Sequence, residues 1–161
     1  MKRLSAKRRT RAAAAGSPPS PSLVDADQNA ASALAAVDED PQTQIAALRA
    51  LEALVHACRT SGATILAHEA ARLLDERKDT MRAFHLERVE HALARTALAG
   101  ARDEAVRVLE NALVVIGDID GDVDGGGGAV RTLRTRLDDV KRGLPGKPRP
   151  FFARYLEHQK R

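Results

Sequence analysis

RTSGAT (residues 59–64) and ALAGAR (residues 97–102) decide the fold, because each places one glycine between two amphipathic stretches. A glycine just beyond a run of helix-forming residues is typical of a helix C-terminus. Between residues 41 and 118, Gly62 and Gly100 therefore predict two helical hairpins, each made of antiparallel neighbours joined by a short connection. The predicted fold class is all-α, as an antiparallel helical bundle or a short α-hairpin solenoid.

Four helices are predicted within residues 41–118. Asp40 is expected to cap the first, with Pro41 at its first position, and this helix runs to about residue 59. The second covers about 64–77, and Asp79 or Thr80 caps a third that ends near residue 98. The fourth starts at Asp103.

One helix is predicted on each side of this stretch. The first, capped by Asp25 or Asp27, extends the helical domain back to residue 25, so that the domain covers 25–118. The other is an amphipathic helix over 129–142, which an acidic, glycine-rich linker (119–128) separates from the domain.

Apolar residues recur at helical spacing and define the expected core. Alanine supplies much of the apolar content and aromatic residues only 2% of the chain, so this core should be thin, and thin-cored domains often gain stability from a partner subunit. The expected core positions are Ile45, Leu48, Leu51, Leu54, Val55, Cys58, Ile65, Leu66, Ala70, Leu73, Leu74, Met81, Phe84, Leu86, Val89, Leu93, Ala105, Val106, Leu109, Ala112, Leu113 and Ile116. The last helix has a narrow apolar seam that suits docking on the bundle or on a partner helix, formed by Val130, Leu133, Leu137 and Val140.

Charge divides the chain into two basic ends and an acidic middle. Residues 1–24 contain six basic residues and no acid, residues 25–125 contain 10 basic and 19 acidic residues, and residues 126–161 contain 10 basic and 3 acidic residues. The basic ends could contact an acidic partner, but the acidic middle does not suit a nucleic-acid duplex.

Residues 1–24 are predicted to be a disordered, basic, Ser/Pro-rich tail, because prolines break any helix there. Its KRLSAKRRTR stretch (2–11) fits a nuclear import signal, a mitochondrial transit peptide, a nucleic-acid tether or a solvated tail. The tight cluster favours nuclear import over mitochondrial import. The residues that would make the import or phosphate contacts are Lys7, Arg8, Arg9 and Arg11.

The remaining compositional features predict an intracellular protein. Cys58 is the single cysteine, so no internal disulfide can form, and its place on an apolar helix face indicates a core residue rather than a nucleophile. No apolar run approaches the ~18 residues that span a bilayer. The first residues lack the apolar region of a secretory signal.

The stretch GARDEAVRVLENAL (100–113) resembles the second helix of a tetratricopeptide repeat and the turn before it. Gly100, Ala105, Leu109 and Ala112 match the family pattern of a small turn residue, an acidic-Ala start and an apolar-xx-Ala-Leu finish. A partial echo lies 38 residues earlier, where Gly62 and Ala67 take the corresponding places. The resemblance covers at most half of the chain, and it implies a stack of α-hairpins that binds proteins. Any alanine- and leucine-rich antiparallel helix pair could produce the same matches.

The linker contains DGDVDG (120–125), which matches the opening of a calcium-binding EF-hand loop. Such a loop would use Asp120, Asp122 and Asp124 and requires a glutamate at its twelfth position, where this chain has Arg131. A positively charged side chain at that position should greatly weaken calcium binding. The prediction is therefore a solvated acidic linker without a metal.

The sequence shows no catalytic motif. His68-Glu69 could begin an HExxH metal site, but the second histidine is missing, and Glu87 and His91 are spaced as a helix-surface pair. No phosphate-binding loop or dinucleotide fingerprint occurs. We therefore expect no enzymatic activity and no cofactor.

Residues 143–161 are expected to be a basic, aromatic tail, which contains three of the four aromatic residues of the chain. If Pro150 opens a helix, Phe151 and Tyr155 form an i,i+4 pair. Aromatic side chains are common interface anchors, so residues 147–161 form a predicted docking element. Equally, the tail could fold back onto its own thin core. The predicted partner-binding residues are Phe151, Phe152, Tyr155 and Leu156 as anchors, with Lys147, Arg149 and Arg154 as a basic rim.

Together these features predict a non-enzymatic protein–protein interaction module, a subunit or adaptor of a larger complex. One alternative is a nucleic-acid-associated protein that contacts phosphate through its basic termini. Another is an organelle-imported assembly factor. A protein partner is expected, and the sequence leaves the oligomeric state open.

Overall fold

The computed structural model describes residues 22–98, 100–121 and 127–145, and these residues form five α-helices and no strand. Each helix packs on the next one in the chain, and α2 also contacts α4. The all-α prediction is confirmed. The helices are α1 (Leu23–Ala35), α2 (Pro41–Thr60), α3 (Thr64–Arg95), α4 (Ala101–Asp120) and α5 (Gly128–Lys141).

Helix α1 begins earlier than predicted, because Ser22 rather than Asp25 or Asp27 is its N-cap. The Asp25 backbone N–H donates to Ser22 Oγ at 3.2 Å, and Ser22 Oγ donates to Asp25 Oδ2 at 2.6 Å. This reciprocal pair satisfies a free N–H of the first turn. Leu23 and Val24 therefore belong to a helix and not to the predicted disordered tail, whose residues 1–21 lie outside the described part.

The two glycines act as predicted. Gly62 and Gly100 both have a φ of 77°, in the left-handed region that favours glycine, and they lie between α2 and α3 and between α3 and α4. The predicted start of α2 is also confirmed, because Asp40 Oδ1 accepts the Gln42 N–H at 3.1 Å and Pro41 follows the cap.

Helix α3 corrects the prediction of two helices over residues 64–98. It continues for 32 residues, through the expected break at Asp79 and Thr80. Thr80 Oγ1 donates to the Glu76 carbonyl at 2.7 Å, and Asp79 forms an ion pair with Arg82 at 3.1 Å. Both contacts lie within one helix turn, and no glycine or proline stops the helix there. Asp79 and Thr80 therefore do not end the helix, although both are residue types that commonly cap helices.

The resemblance to the tetratricopeptide repeat stays a prediction. Gly100 opens α4 as the family pattern implies, but α3 has 32 residues while α2 and α4 have 20 each. The described helices are therefore not two repeats of equal hairpins.

Two hydrophobic clusters form the core, and α3 contributes to both. One joins α1, α2, the first part of α3 and Val115 near the end of α4, with Leu48, Leu51 and Leu74 buried. The other joins the second half of α3 to α4 and α5, with Leu93 and Leu109 buried. Of the two outcomes predicted for the apolar seam of α5, the structure shows docking on the bundle, because its four apolar positions are all buried: Val130, Leu133, Leu137 and Val140.

Three expected core residues are exposed instead. Ile65 and Leu66 lie in the first turn of α3 and expose 77% and 50% of their surface. The Phe84 ring is also partly exposed and is covered on one face by the Arg88 guanidinium, 5.3 Å from its centroid. These positions extend the apolar arc of α3 beyond the part that α2 and α4 cover.

A buried polar chain ties the α1–α2 connection to the middle of α3. His85 Nε2 donates to Gln44 Oε1 at 2.6 Å, and Gln44 Nε2 donates to the Asp38 carbonyl at 2.8 Å. His85 and Gln44 are 3% and 4% exposed, so each needs the other as a partner. Burial, with a smaller effect of the Arg88 charge, lowers the pKa of His85.

This lowered pKa predicts acid sensitivity. The folded state holds His85 neutral, whereas the unfolded chain protonates it below its ordinary pKa of 6.5. The free energy of unfolding should therefore fall as the pH drops below about 6.5 and should level off below the pKa of the folded state, with a slope of at most about 1.4 kcal/mol per pH unit from this group. Chemical denaturation across this pH range measures that slope.

Substitution His85→Gln should reduce the slope, because glutamine can still donate to Gln44 but does not titrate. The matched control is His91→Gln on the same helix, at a partly exposed position whose Nε2 lies 3.8 Å from Glu87. An unchanged slope in the His85→Gln chain would show that another group causes the acid sensitivity.

Candidate functional site

An open groove lies between α1 and α3. Both helices pack on α2, but they do not pack on each other within the described part of the chain. The gap has a volume of about 700 Å³, with α2 beneath it. We name this feature the α1–α3 groove and define it by Leu23, Val24, Asp27, Leu54, Cys58, Leu66, Glu69, Ala70, Arg72, Leu73 and Glu76.

The inner lining of the α1–α3 groove is apolar. Cys58 and Ala70 are buried beneath it, and Leu54 and Leu73 are half-buried. Val24 exposes 64% of its surface at the edge formed by α1. Large apolar side chains that line a concavity and remain in water are typical of interaction surfaces.

The rim of the α1–α3 groove is acidic. Asp27, Glu69 and Glu76 contribute three carboxylates, and Arg72 contributes the one cation. The Arg72 guanidinium already lies 3.8 Å from Glu76, on the same helix face. Asp27 and Glu69 form no ion pair within the described residues. The groove therefore presents negative charge that the described residues do not balance.

The corresponding gap on the other side of α3 has a different chemistry. Helices α3 and α5 both pack on α4, and the cleft between them has a volume of about 360 Å³. Arg136 of α5 reaches across to Glu90 of α3 at 2.7 Å, and this glutamate is 3% exposed. We name this feature the α3–α5 cleft and define it by Leu93, Arg131, Thr132, Thr135, Arg136, Asp139 and Pro145.

An ion pair therefore bridges the second gap, which polar side chains line, whereas the first gap is apolar and unbridged. A buried carboxylate needs its cation, so Arg136 is committed to holding α5 near α3. Of these two gaps, the α1–α3 groove offers the larger apolar surface to another molecule.

The sequence-predicted docking and import residues lie outside the described part of the chain. These are the tail residues Arg149, Phe151, Phe152, Arg154, Tyr155 and Leu156, and the basic residues Lys7, Arg8, Arg9 and Arg11. Their predicted roles stay predictions.

The acidic turn after α4 is partly described. Asp120 is the last residue of α4, and its carboxylate accepts a hydrogen bond from Arg82 of α3. Asp118 accepts one from Arg49 of α2. Asp122 and Asp124 lie outside the described residues, which contain no cluster of three metal ligands. These two ion pairs fasten the end of α4 to α2 and α3.

The basic side of α5 is partly neutralised by the fold. Arg136 pairs with Glu90, and Lys141 Nζ lies 2.9 Å from Glu110 of α4. Arg131 remains exposed beside the α3–α5 cleft. This side of the molecule is therefore less positive than the sequence of α5 alone suggests.

Sequence reasoning missed the α1–α3 groove because it assigned Leu66 to the core and Val24 to a disordered tail. A signal was present in α3, where Leu66, Ala70 and Leu73 form an i, i+4, i+7 row. The residues that face α2, such as Leu74, lie beside this row. The apolar arc of α3 is wide enough to pack against two helices, but in this part of the fold it packs on α2 and not on α1. One side of the arc is therefore uncovered.

No family model, no curated protein and no solved structure matches this chain. Within the described residues, no helix has both the length and the apolar character that crossing a bilayer requires.

The exposed apolar residues of the groove are predicted to contribute little to the free energy of unfolding. The change Leu66→Lys should alter the free energy of unfolding by less than about 0.5 kcal/mol, because the side chain is half exposed and Glu69 lies one turn away. By contrast, Leu51→Ala should cost about 2–5 kcal/mol, because Leu51 is fully buried. Chemical denaturation measures both values.

The matched control is Val114→Lys on α4. Val114 is 45% exposed and has Glu110 and Asp118 one turn away on either side, so its environment resembles that of Leu66. A loss of several kcal/mol in the Leu66→Lys chain alone would mean that Leu66 packs in the core.

Proposed function

We propose that this chain is a non-catalytic protein-interaction module, a subunit or adaptor of a larger complex. It binds an amphipathic segment of its partner in the α1–α3 groove. The observation that carries this proposal is the combination in that groove of an apolar lining, an acidic rim and no covering helix within the described residues.

The shape of the groove favours an elongated ligand. The α1–α3 groove is a gap between two helices that lie on a third, so a partner helix placed there would extend the layer that α1 and α3 form. Binding of an amphipathic helix in an apolar groove relies on anchors at i, i+3, i+4 and i+7. The row of Leu66, Ala70 and Leu73, in which Leu66 is the exposed member, supplies matching contacts along α3.

The charge of the groove favours a basic ligand. Asp27 and Glu69 lie on opposite walls, on α1 and α3, without an ion-pair partner in the described residues. Lysine or arginine side chains beside the apolar anchors of the ligand would meet these carboxylates. Such complementarity raises the rate of association and selects against acidic partners.

The lining supports binding rather than catalysis. Cys58 carries the one thiol among the residues that define the groove, and none of these residues is a histidine that could act as its base. Cys58 is 2% exposed, so its thiol lies beneath the surface rather than at the opening.

Selection of peptides from a displayed random library tests the proposal. Wild-type protein should enrich peptides that have apolar residues at helical spacing and lysine or arginine on the flanks. Substitution Leu66→Lys should weaken their binding at least about 10-fold, because it removes an apolar contact and repels the basic flank. Val114→Lys should leave binding unchanged.

Two results would contradict the proposal. One is that the wild-type and Leu66→Lys proteins enrich the same peptides. The other is that the protein binds an oligonucleotide duplex, with an affinity that falls steeply with salt and does not respond to Leu66→Lys. This second result would assign the function to the basic termini and to phosphate contacts.

A further inference from the structure

The chain itself contains a segment with the chemistry that the α1–α3 groove selects. Residues 146–161 contain five basic residues, one acidic residue and three of the four aromatic residues of the chain. Phe151 and Tyr155, and likewise Phe152 and Leu156, are spaced i,i+4, which would place each pair on one face of a helix. We name residues 147–161 the aromatic tail.

The other segment outside the described residues fits the groove less well. Residues 1–21 are basic and directly precede Ser22, close to the groove. Their large apolar side chains are Met1 and Leu4, and they contain no aromatic residue. Alanine and proline make up most of the remaining apolar content. This segment therefore matches the acidic rim but not the apolar lining.

Geometry places the start of the aromatic tail at the far end of the molecule. The Arg102 guanidinium donates to the Gly143 carbonyl at 3.2 Å, so the end of α5 lies at the start of α4. Arg95 at the end of α3 lies 3.9 Å from Glu104. Pro145, which follows α5, lies beside the C-terminal half of α3. The α1–α3 groove lies along the N-terminal half.

The distance along α3 opposes insertion of Phe151, the first anchor of the tail, into the groove of the same chain. Pro145 borders the α3–α5 cleft together with Leu93, and Ala70 lies beneath the α1–α3 groove. Leu93 and Ala70 are 23 residues apart on one helix, which is about 35 Å at 1.5 Å per residue. Phe151 is six residues after Pro145 and can lie at most about 21 Å from it.

We propose that the α1–α3 groove of one copy binds the aromatic tail of a second copy. This inference rests on the proposed function, because it names the ligand of the same groove. Phe151 and Phe152 enter the apolar lining, and the basic residues beside them, Arg149 and Arg154, face Asp27 and Glu69. A reciprocal exchange of tails closes a dimer, whereas a one-way exchange builds a chain of copies.

Association of full-length variants tests this inference. Wild-type protein should self-associate in sedimentation velocity runs over a range of concentrations. Two variants should each remain monomeric, namely Leu66→Lys, which disables the groove, and the double change Phe151→Ala and Phe152→Ala, which disables the tail. The control Val114→Lys should associate like the wild type.

Mixing the two disabled variants gives the sharper result. The Leu66→Lys chain retains an intact tail, and the Phe151→Ala, Phe152→Ala chain retains an intact groove. An equimolar mixture should therefore form a one-to-one complex, although neither variant associates alone. A fluorescent label on one variant makes the complex visible in the same sedimentation experiment.

Three outcomes would overturn the inference. If the wild-type protein stays monomeric at all concentrations, the copies do not exchange tails. Variants that fail to complement each other would show that tail and groove are not partners. If the double Phe→Ala change lowers the melting temperature and leaves association intact, the aromatic side chains complete the chain's own core.

The peptide selection separates these failures from failure of the proposed function. Suppose that the wild-type protein does not self-associate but enriches basic amphipathic peptides that Leu66→Lys rejects. The groove then binds a different protein, and only the identity of the ligand is wrong. If Leu66→Lys affects neither peptide binding nor self-association, the α1–α3 groove is not a binding site and both proposals fail.

Discussion

Continuity of α3 is the constraint on which the rest of the structure depends. Its first half packs with α1, α2 and Val115 of α4 in one cluster, and its second half packs with α4 and α5 in the other. A break at Asp79 would leave the two clusters joined mainly by α4, which contacts α2 and contributes Val115 to the first cluster. The ion pairs of Asp118 and Asp120 with α2 and α3 strengthen the junction, because they hold the end of α4 against both helices.

A fold that is built around one long helix, α3, leaves part of its apolar surface uncovered. Each helix packs mainly on its neighbours in the chain, so α1 and α3, and likewise α3 and α5, lie side by side with a gap between them. In the second half of the molecule, Arg136 and Glu90 bridge that gap, and the buried carboxylate requires its partner. In the first half, apolar side chains border the gap. The ion pair therefore makes the gap between α3 and α5 a structural contact. The apolar side chains leave the gap between α1 and α3 available for binding.

The core explains why such a surface can be tolerated. Alanines at close helix contacts, such as Ala47, Ala105 and Ala112, are fully buried but remove little apolar area from water. Stability then depends on a few large residues, among them Leu48, Leu51 and Leu109, and on the buried contact between His85 and Gln44. Exposed apolar groups at Val24 and Leu66 take no part in this balance, so they are free to serve a partner.

The amino-acid sequence by itself determined the helices and most of their ends. Asp40 with Pro41, and the left-handed glycines Gly62 and Gly100, act through local backbone geometry, which does not depend on distant residues. The inner positions of α5 followed from the helical period alone. The tertiary structure decided the length of α3, because a capping residue ends a helix only where the packing also ends. It also decided which apolar residues lack a cover, because the exposure of Leu66 depends on where α1 lies and not on the residues next to it.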